Sequence, residues 1–336
     1  METKIETLNF IIWPVLMIGF FYVSITHMSL ITGILIIFGL VVFETISSID
    51  NAIINAEVVG TMKPKARKWF LTWGLLFAVF MVRGLLPWLI VYFMNPSLGF
   101  IGAFTATFSN DPAIASSIEK SAPILLTGGG IFLVFLFFHW LFLEEKHFGL
   151  PKTEKFFMRG GVWFYAVVSV LLAVVVWKSL KINPMIAFSA VVGSTAFFIT
   201  HGFKQNAEAK EKELISGTSN MSDISKIFYL EIIDTTFSID GVLGAFAFTF
   251  SIPLILIGSG VGALVVRQLT VGNIERIKKY VFLKNGAMYS ILGLGTIMLL
   301  DGFGVHIPEW ISPVFTIGVI IYFFWKSKKH LKLCIE

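Results

Sequence analysis

The stretch VFETISSIDNA (42–52) has a counterpart in IIDTTFSIDGV (232–242), 190 residues further along the chain. Aligned, Glu44 meets Asp234, Thr45 meets Thr235, and Ser48-Ile49-Asp50 meets Ser238-Ile239-Asp240. Both copies lie inside long apolar runs. A carboxylate at the centre of a bilayer costs on the order of 3 kcal/mol unless it is paired, so acids there are rare. Two acids at the same spacing in both copies argue against chance similarity.

The apolar character around the motifs extends over the whole chain. Its 336 residues are 56% hydrophobic and 14% charged, whereas a soluble domain carries about a quarter charged residues. Runs of about 20 apolar residues recur, the length a helix needs to cross a membrane. The pattern predicts an all-α, polytopic protein with a single membrane domain over 1–336. Ten transmembrane helices fit it, within a range of eight to ten, at 8–27, 28–59, 69–94, 122–143, 161–180, 183–203, 226–250, 252–271, 286–302 and 309–325. The N-terminal METKIETLNF has acids before its apolar run and no small-residue cleavage pattern, so the first span reads as retained.

Alternating loops support this count. The side holding both termini carries 21 of the 26 Lys and Arg, and the other side carries Lys120, Lys178 and Lys181. Basic loops stay on the cytoplasmic side, which predicts a cell-membrane protein with both termini cytoplasmic. The basic residues sit in short loops, so the net charge of +5 reflects topology and gives no reason to invoke nucleic acid. Segment 95–121 is too short to cross and reads as re-entrant or interfacial. Segment 204–226 reads as a solvated helix followed by a flexible stretch.

In this topology the second and seventh spans run in opposite directions. The motifs then belong to an inverted repeat, with 28–143 as the first copy, 144–225 as connecting spans and a cytoplasmic loop, and 226–325 as the second copy. Each motif is followed by a span with one arginine, Arg83 and Arg267. Inverted repeats are a recurring transporter plan with the site near the midplane.

Five acids occur in the motifs (Glu44, Asp50, Glu231, Asp234 and Asp240) against the two arginines, an excess of three negative charges. A structural ion-pair network should balance itself, so the excess points to a bound cation. Glu231 and Asp234 are three residues apart and share a helix face. The pairs Glu44/Asp50 and Asp234/Asp240 are six apart, which in a continuous helix is a turn of about 240° and a rise of about 9 Å. They share one ligand sphere only if the helix breaks or if both copies contribute. The second span is also long, and Ser47, Ser48 and Ser238 can satisfy freed backbone groups. The sequence therefore predicts broken or kinked helices at both motifs.

Carboxylates, Asn51, hydroxyls and carbonyls form a hard oxygen set, suited to Mn²⁺, Ca²⁺ or Mg²⁺ over Cu or Zn. The six histidines are scattered near span ends and read as interfacial. Arg83 and Arg267 read as holding the acids in place, with a competing internal cation as the other reading. A lone cysteine, Cys334, excludes an intrachain disulfide and a Cys-rich metal site. The sequence holds no H-E-x-x-H helix, G-x-S-x-G elbow or P-loop, so it reads as neither an enzyme nor an ATP-driven pump.

ETISSIDNA (44–52), EIIDTTFSIDG (231–241), MVRGLL (81–86) and VVRQL (265–269) occur in an order that resembles the TerC family of membrane proteins, itself similar in organisation to the LysE group of exporters. The resemblance covers roughly 28–94 and 226–302. It implies divalent-metal export, Mn²⁺ first and Ca²⁺ second, and by name an association with tellurium resistance. Carried over, Glu44, Asp50, Asn51, Glu231, Asp234 and Asp240 would hold the metal, supported by Ser48, Ser238, Arg83 and Arg267. Two features depart from the family. Gly241 stands where a serine is usual, and spans 161–203 lie between the halves. The expectation is a metal carried as substrate, no permanently bound cofactor, and a lipid bilayer and protons as further partners. A membrane-assembly or stress-resistance factor with structural acids is the alternative.

Overall fold

The computed structural model describes residues 2–25, 28–74, 77, 81–94, 96–106, 112–215 and 221–333. Within them, the side chains of 2–11, 104–106, 112–119, 267–276 and some single positions lie outside the description. Asp50, Asn51 and Arg267 are among those side chains.

Among the described residues every regular element is helical. In chain order the first are α1 (Glu2–Ile25), α2 (Leu30–Ser47), α3 (Ile49–Gly60) and α4 (Pro64–Trp69). Two π-helical turns, Phe70–Gly74 and Met81–Leu85, precede α5 (Leu86–Met94) and α6 (Gly99–Ala106). Then come α7 (Pro112–Leu143), α8 (Pro151–Arg159), α9 (Phe164–Leu180) and α10 (Pro184–Ile215). The last are α11 (Asp223–Phe237), α12 (Ile239–Ala245), α13 (Ile252–Ile277), α14 (Leu283–Gly302) and α15 (Ile311–Leu333).

Among the described residues five stretches are long and apolar enough to cross a membrane: Leu30–Ser47, Lys120–Leu143, Gly161–Leu180, Pro184–Ala207 and Leu283–Gly302. Shorter apolar stretches occupy Pro14–Ser24 and Ile252–Val266. Trp163, Tyr165, Val170 and Trp177 on and beside α9 are exposed, as suits a surface that faces lipid.

The centre of the bundle is formed by α7 against α14, α2 against α13, and α10 against α7. Glycines let these backbones approach closely, which is how helices pack without a hydrophobic drive between them. A Cβ on Gly193 of α10 would lie 2.0 Å from the Gly128 carbonyl oxygen of α7. One on Gly262 of α13 would lie 2.6 Å from the Glu44 Cβ of α2. The largest fully buried side chains include Trp140, Phe135, Phe197, Phe43 and Phe248.

Two local expectations change. The helix read as starting near 122 begins at Pro112 and runs 32 residues, with Pro123 inside it. The basic segment after 203 is no separate helix, because α10 continues through it to Ile215. Residues 216–220, read as flexible, lie outside the described residues. Segment 95–121 contains the short α6, entered through Gly99 at φ 69°, a conformation that glycine adopts at no steric cost. The Trp88 indole donates to the Phe100 carbonyl, tying α6 back to α5.

The loop after α7 is held by buried polar contacts. Glu154 is fully buried and accepts from the Leu150 N–H (2.9 Å), Asn285 Nδ2 and the Tyr289 hydroxyl (3.2 Å each). Lys146 donates to the Trp140 and Leu141 carbonyls at the end of α7. Burial lowers its pKa to about 8, against the opposing fields of Glu154 and Glu144.

Candidate functional site

Both acidic motifs interrupt a helix at the aligned serine. Between α2 and α3, Ser48 takes φ −89°, ψ 0°. Between α11 and α12, Ser238 takes φ −88°, ψ −4°. Each break is one residue wide. The first helix ends on Ser48 N–H to the Glu44 carbonyl (3.1 Å) and Ser238 N–H to the Asp234 carbonyl (3.0 Å), and the next starts on the serine carbonyls, which accept from Ala52 N–H and Val242 N–H (3.0 Å each). Each helix is therefore interrupted at a single serine, with a second helix restarting from it.

The two serines differ in what they hold. The Ser48 hydroxyl donates to Glu44 Oε1 at 2.7 Å. The Ser238 hydroxyl donates to the Asp234 backbone carbonyl at 2.6 Å. Only the first orients a carboxylate.

Glu44 is the centre of the arrangement. It is 3% exposed, and its Oε1 also accepts from the Arg83 guanidinium. Arg83, 4% exposed, projects from the π-helical turn Met81–Leu85, an irregularity often found at functional sites. Asp234 and Asp240 also lie within electrostatic range of Arg83. On its other side Glu44 meets Gly241, where a Cβ would stand 3.2 Å from Oε2. The two motifs thus meet, one contributing Glu44 and Ser48, the other Asp240 and Gly241. Asn55 adds a contact between them, its Nδ2 lying 3.5 Å from Asp234 Oδ1.

Glu231 stands apart. It is 8% exposed, and neither carboxylate oxygen has a hydrogen-bond partner among the described residues. A Cβ on Gly74, at the end of the first π-helical turn, would stand 2.2 Å from its Oε1. Asp234 is the charge within its range.

Of the residues singled out in the sequence, Glu44, Arg83, Asp234, Asp240 and Ser48 come together, while Glu231 and Ser238 flank them. Asp50, Asn51 and Arg267 fall on helical backbone, and their side chains lie outside the description. Among the described residues no three His, Cys, Asp or Glu side chains converge closely enough to hold a metal ion.

Sequence reasoning missed the lysines. Lys204, read as the start of a solvated segment, lines a cavity with Asp240. Lys284, read as the end of a basic loop, lines another cavity with Asp240. Nothing in their local sequence sets them apart from other loop lysines. Asn55 was findable, since it lies seven residues after Ser48 and so on the same helix face.

The family described as protein of unknown function (DUF475) matches residues 49–332. The chain belongs to DUF475. The matched span takes in Arg83, the second motif, Lys204 and Lys284, and it begins at Ile49, just past Glu44 and Ser48. No curated protein and no solved structure matches the chain.

Proposed function

We propose that the chain exports a divalent cation, Mn²⁺ first and Ca²⁺ second, by alternating access at the acidic motifs. On this reading it has ten spans and an inverted repeat, sits in the cell membrane with both termini cytoplasmic, and shares its plan with TerC-type proteins. The observation that carries the reading is the pairing of the motifs. Two segments with the same S-I-D core, each kinked at its serine, bring Glu44, Asp234 and Asp240 around one arginine. Buried carboxylates in excess of their counter-ions favour a cation as cargo. The oxygen-only donor set favours a hard one.

Arg83 suits either role given to it. As paired with Glu44 it holds the first motif against the second. Released from Glu44, it would leave a carboxylate free for the metal. Asp50 and Asn51 follow the kink in the first turn of α3 and would complete the oxygen set.

The test is cellular Mn content and Mn²⁺ sensitivity in a strain lacking the gene. The strain is complemented with the wild type, Asp50→Asn or Asp240→Asn. Export predicts raised Mn without the gene, corrected by the wild type and not by the variants. Identical metal content in all four strains refutes it.

A second reading, an assembly or tellurium-type stress-resistance factor with structural acids, is favoured by one observation, that Glu44 and Arg83 close on one another. It predicts variants that lose stability while metal content stays unchanged.

A further inference from the structure

Asp240 lies between two small cavities of about 30 Å³ each, room for about one or two water molecules. One is lined by Thr200, His201, Lys204 and Thr236. The other is lined by Ile46, Ser47, Ile49 and Lys284. Each therefore has one lysine and Asp240 in the same lining.

The same two lysines also serve a second acid. Lys284 Nζ is 2.9 Å from Glu144 Oε2, and Lys204 lies within electrostatic range of Glu144 as well as of Asp240. Asp240, Lys204, Glu144 and Lys284 thus form a ring of alternating charge, with Lys204 in the field of both acids and Lys284 paired with Glu144 and sharing a cavity lining with Asp240. It reaches from the kink in the second motif to the loop after α7. His139 completes it, with Nδ1 3.6 Å from Glu144 Oε1 and its ring centroid 3.8 Å from that of His201, the two rings tilted by 52°.

We propose that this ring is a lysine gate, controlling the passage of cations between the basic-loop face and Asp240. It rests on the exporter reading and adds to it the route and the groups that close it. A divalent ion at Asp240 would stand beside both ammonium groups, and like charges at that range repel. Entry therefore requires the lysines to withdraw toward Glu144, which already binds one of them. With room for so little water, the cavities also make the ion shed most of its hydration shell before it arrives. Closed, the ring leaves Asp240 neutralised by tethered cations and shut off from the loop side.

Cysteine labelling in membrane vesicles tests this, in a Cys334→Ala background, with single cysteines replacing Thr200, Thr236 or Ser47. A membrane-impermeant cationic thiol reagent is applied to one face at a time, with and without Mn²⁺. The gate predicts slow labelling from the basic-loop face. Lys204→Gln or Lys284→Gln should speed it about tenfold, as for an ordinary coupling between sites, while Lys→Arg at either position should keep it slow. Ser290→Cys, fully buried in α14, reports any general loosening and should stay unlabelled in every variant. Labelling only from the opposite face, or a rate indifferent to the Gln variants, overturns the gate. So does acceleration that spreads to Ser290→Cys. If the lysines set the rate but Mn²⁺ neither slows labelling nor is transported, the gate stands and the exporter reading falls.

Discussion

Arg83→Met should be among the most destabilising single changes in the chain. Arg83 and Glu44 are 4% and 3% exposed and pair directly. Among the described residues, removing the guanidinium leaves Glu44 buried with one neutral donor, the Ser48 hydroxyl at 2.7 Å. Breaking a buried pair from one side costs about 3–5 kcal/mol. A Coulomb estimate agrees, at about 4 kcal/mol for unit charges 4 Å apart in an effective dielectric of 20. An exposed pair would contribute at most about 1 kcal/mol. Replacing both partners, as in Glu44→Leu with Arg83→Met, should recover most of the loss, because apolar residues of similar volume often replace a buried pair without penalty. The assay is reversible denaturation of the four proteins in mixed micelles, read as a double-mutant cycle. A cost under about 1 kcal/mol for Arg83→Met, or a double variant as unstable as the sum of the singles, would refute the dry, closed pair.

Gly262→Ala should cost about 1–3 kcal/mol by overpacking, since its Cβ would meet Glu44 Cβ at 2.6 Å; the same denaturation reads it, and a neutral result means α2 and α13 can part freely. Glu154→Leu strands the Leu150 N–H and the Tyr289 hydroxyl and leaves Asn285 only the His147 carbonyl, and should cost about 1–3 kcal/mol for each donor left unsatisfied, visible as early proteolysis of the loop 144–150. Glu144 gives a pH test. Burial opposes its ionisation, but the His139 hydrogen bond and the fields of Lys284 and Lys204 together outweigh that and hold its pKa below the usual 4.5. Its stabilising contribution is therefore complete above about pH 4.5 and lost as pH falls below that value. Melting curves of Glu144→Gln should lack this acid-side loss, and an unchanged slope would contradict the assignment.

The helical class was legible because apolar runs of membrane length leave no other satisfied backbone. The kinks were legible too, from acids six residues apart beside serines. Their narrowness was not, because the sequence does not say whether a serine bonds a carboxylate, as Ser48 does, or a backbone carbonyl, as Ser238 does. Gly241 read as a lost hydroxyl. In the fold it is the point where the second motif touches Glu44, a contact between residues almost 200 apart that no local pattern reports. Lys204 and Lys284 were invisible for the same reason. Lys204 within α10 and Lys284 at the start of α14 are placed near cavities that Asp240 lines by the packing of α7, α10 and α14, and loop composition does not encode that packing.

The lysines change the charge argument without cancelling it. Asp240 gains Lys204, but Glu144 draws on both lysines, so the negative excess persists and its centre moves toward Glu231 and Asp234. Glu231 is the sharpest case, with two buried carboxylate oxygens and no hydrogen-bond partner among the described residues. A group kept for stability would not be left so. Glu231→Met should therefore stabilise the protein by about 1–3 kcal/mol, the cost of burying unsatisfied polar atoms, the opposite sign to Arg83→Met. In the same variant Mn²⁺ export should fall, as happens where a site holds strain for function. Denaturation in micelles and Mn²⁺ flux in vesicles measure the two effects on one preparation. A stability loss like that of Arg83→Met would mean that Glu231 has a structural partner. Its charge could then no longer be counted toward a cargo ion.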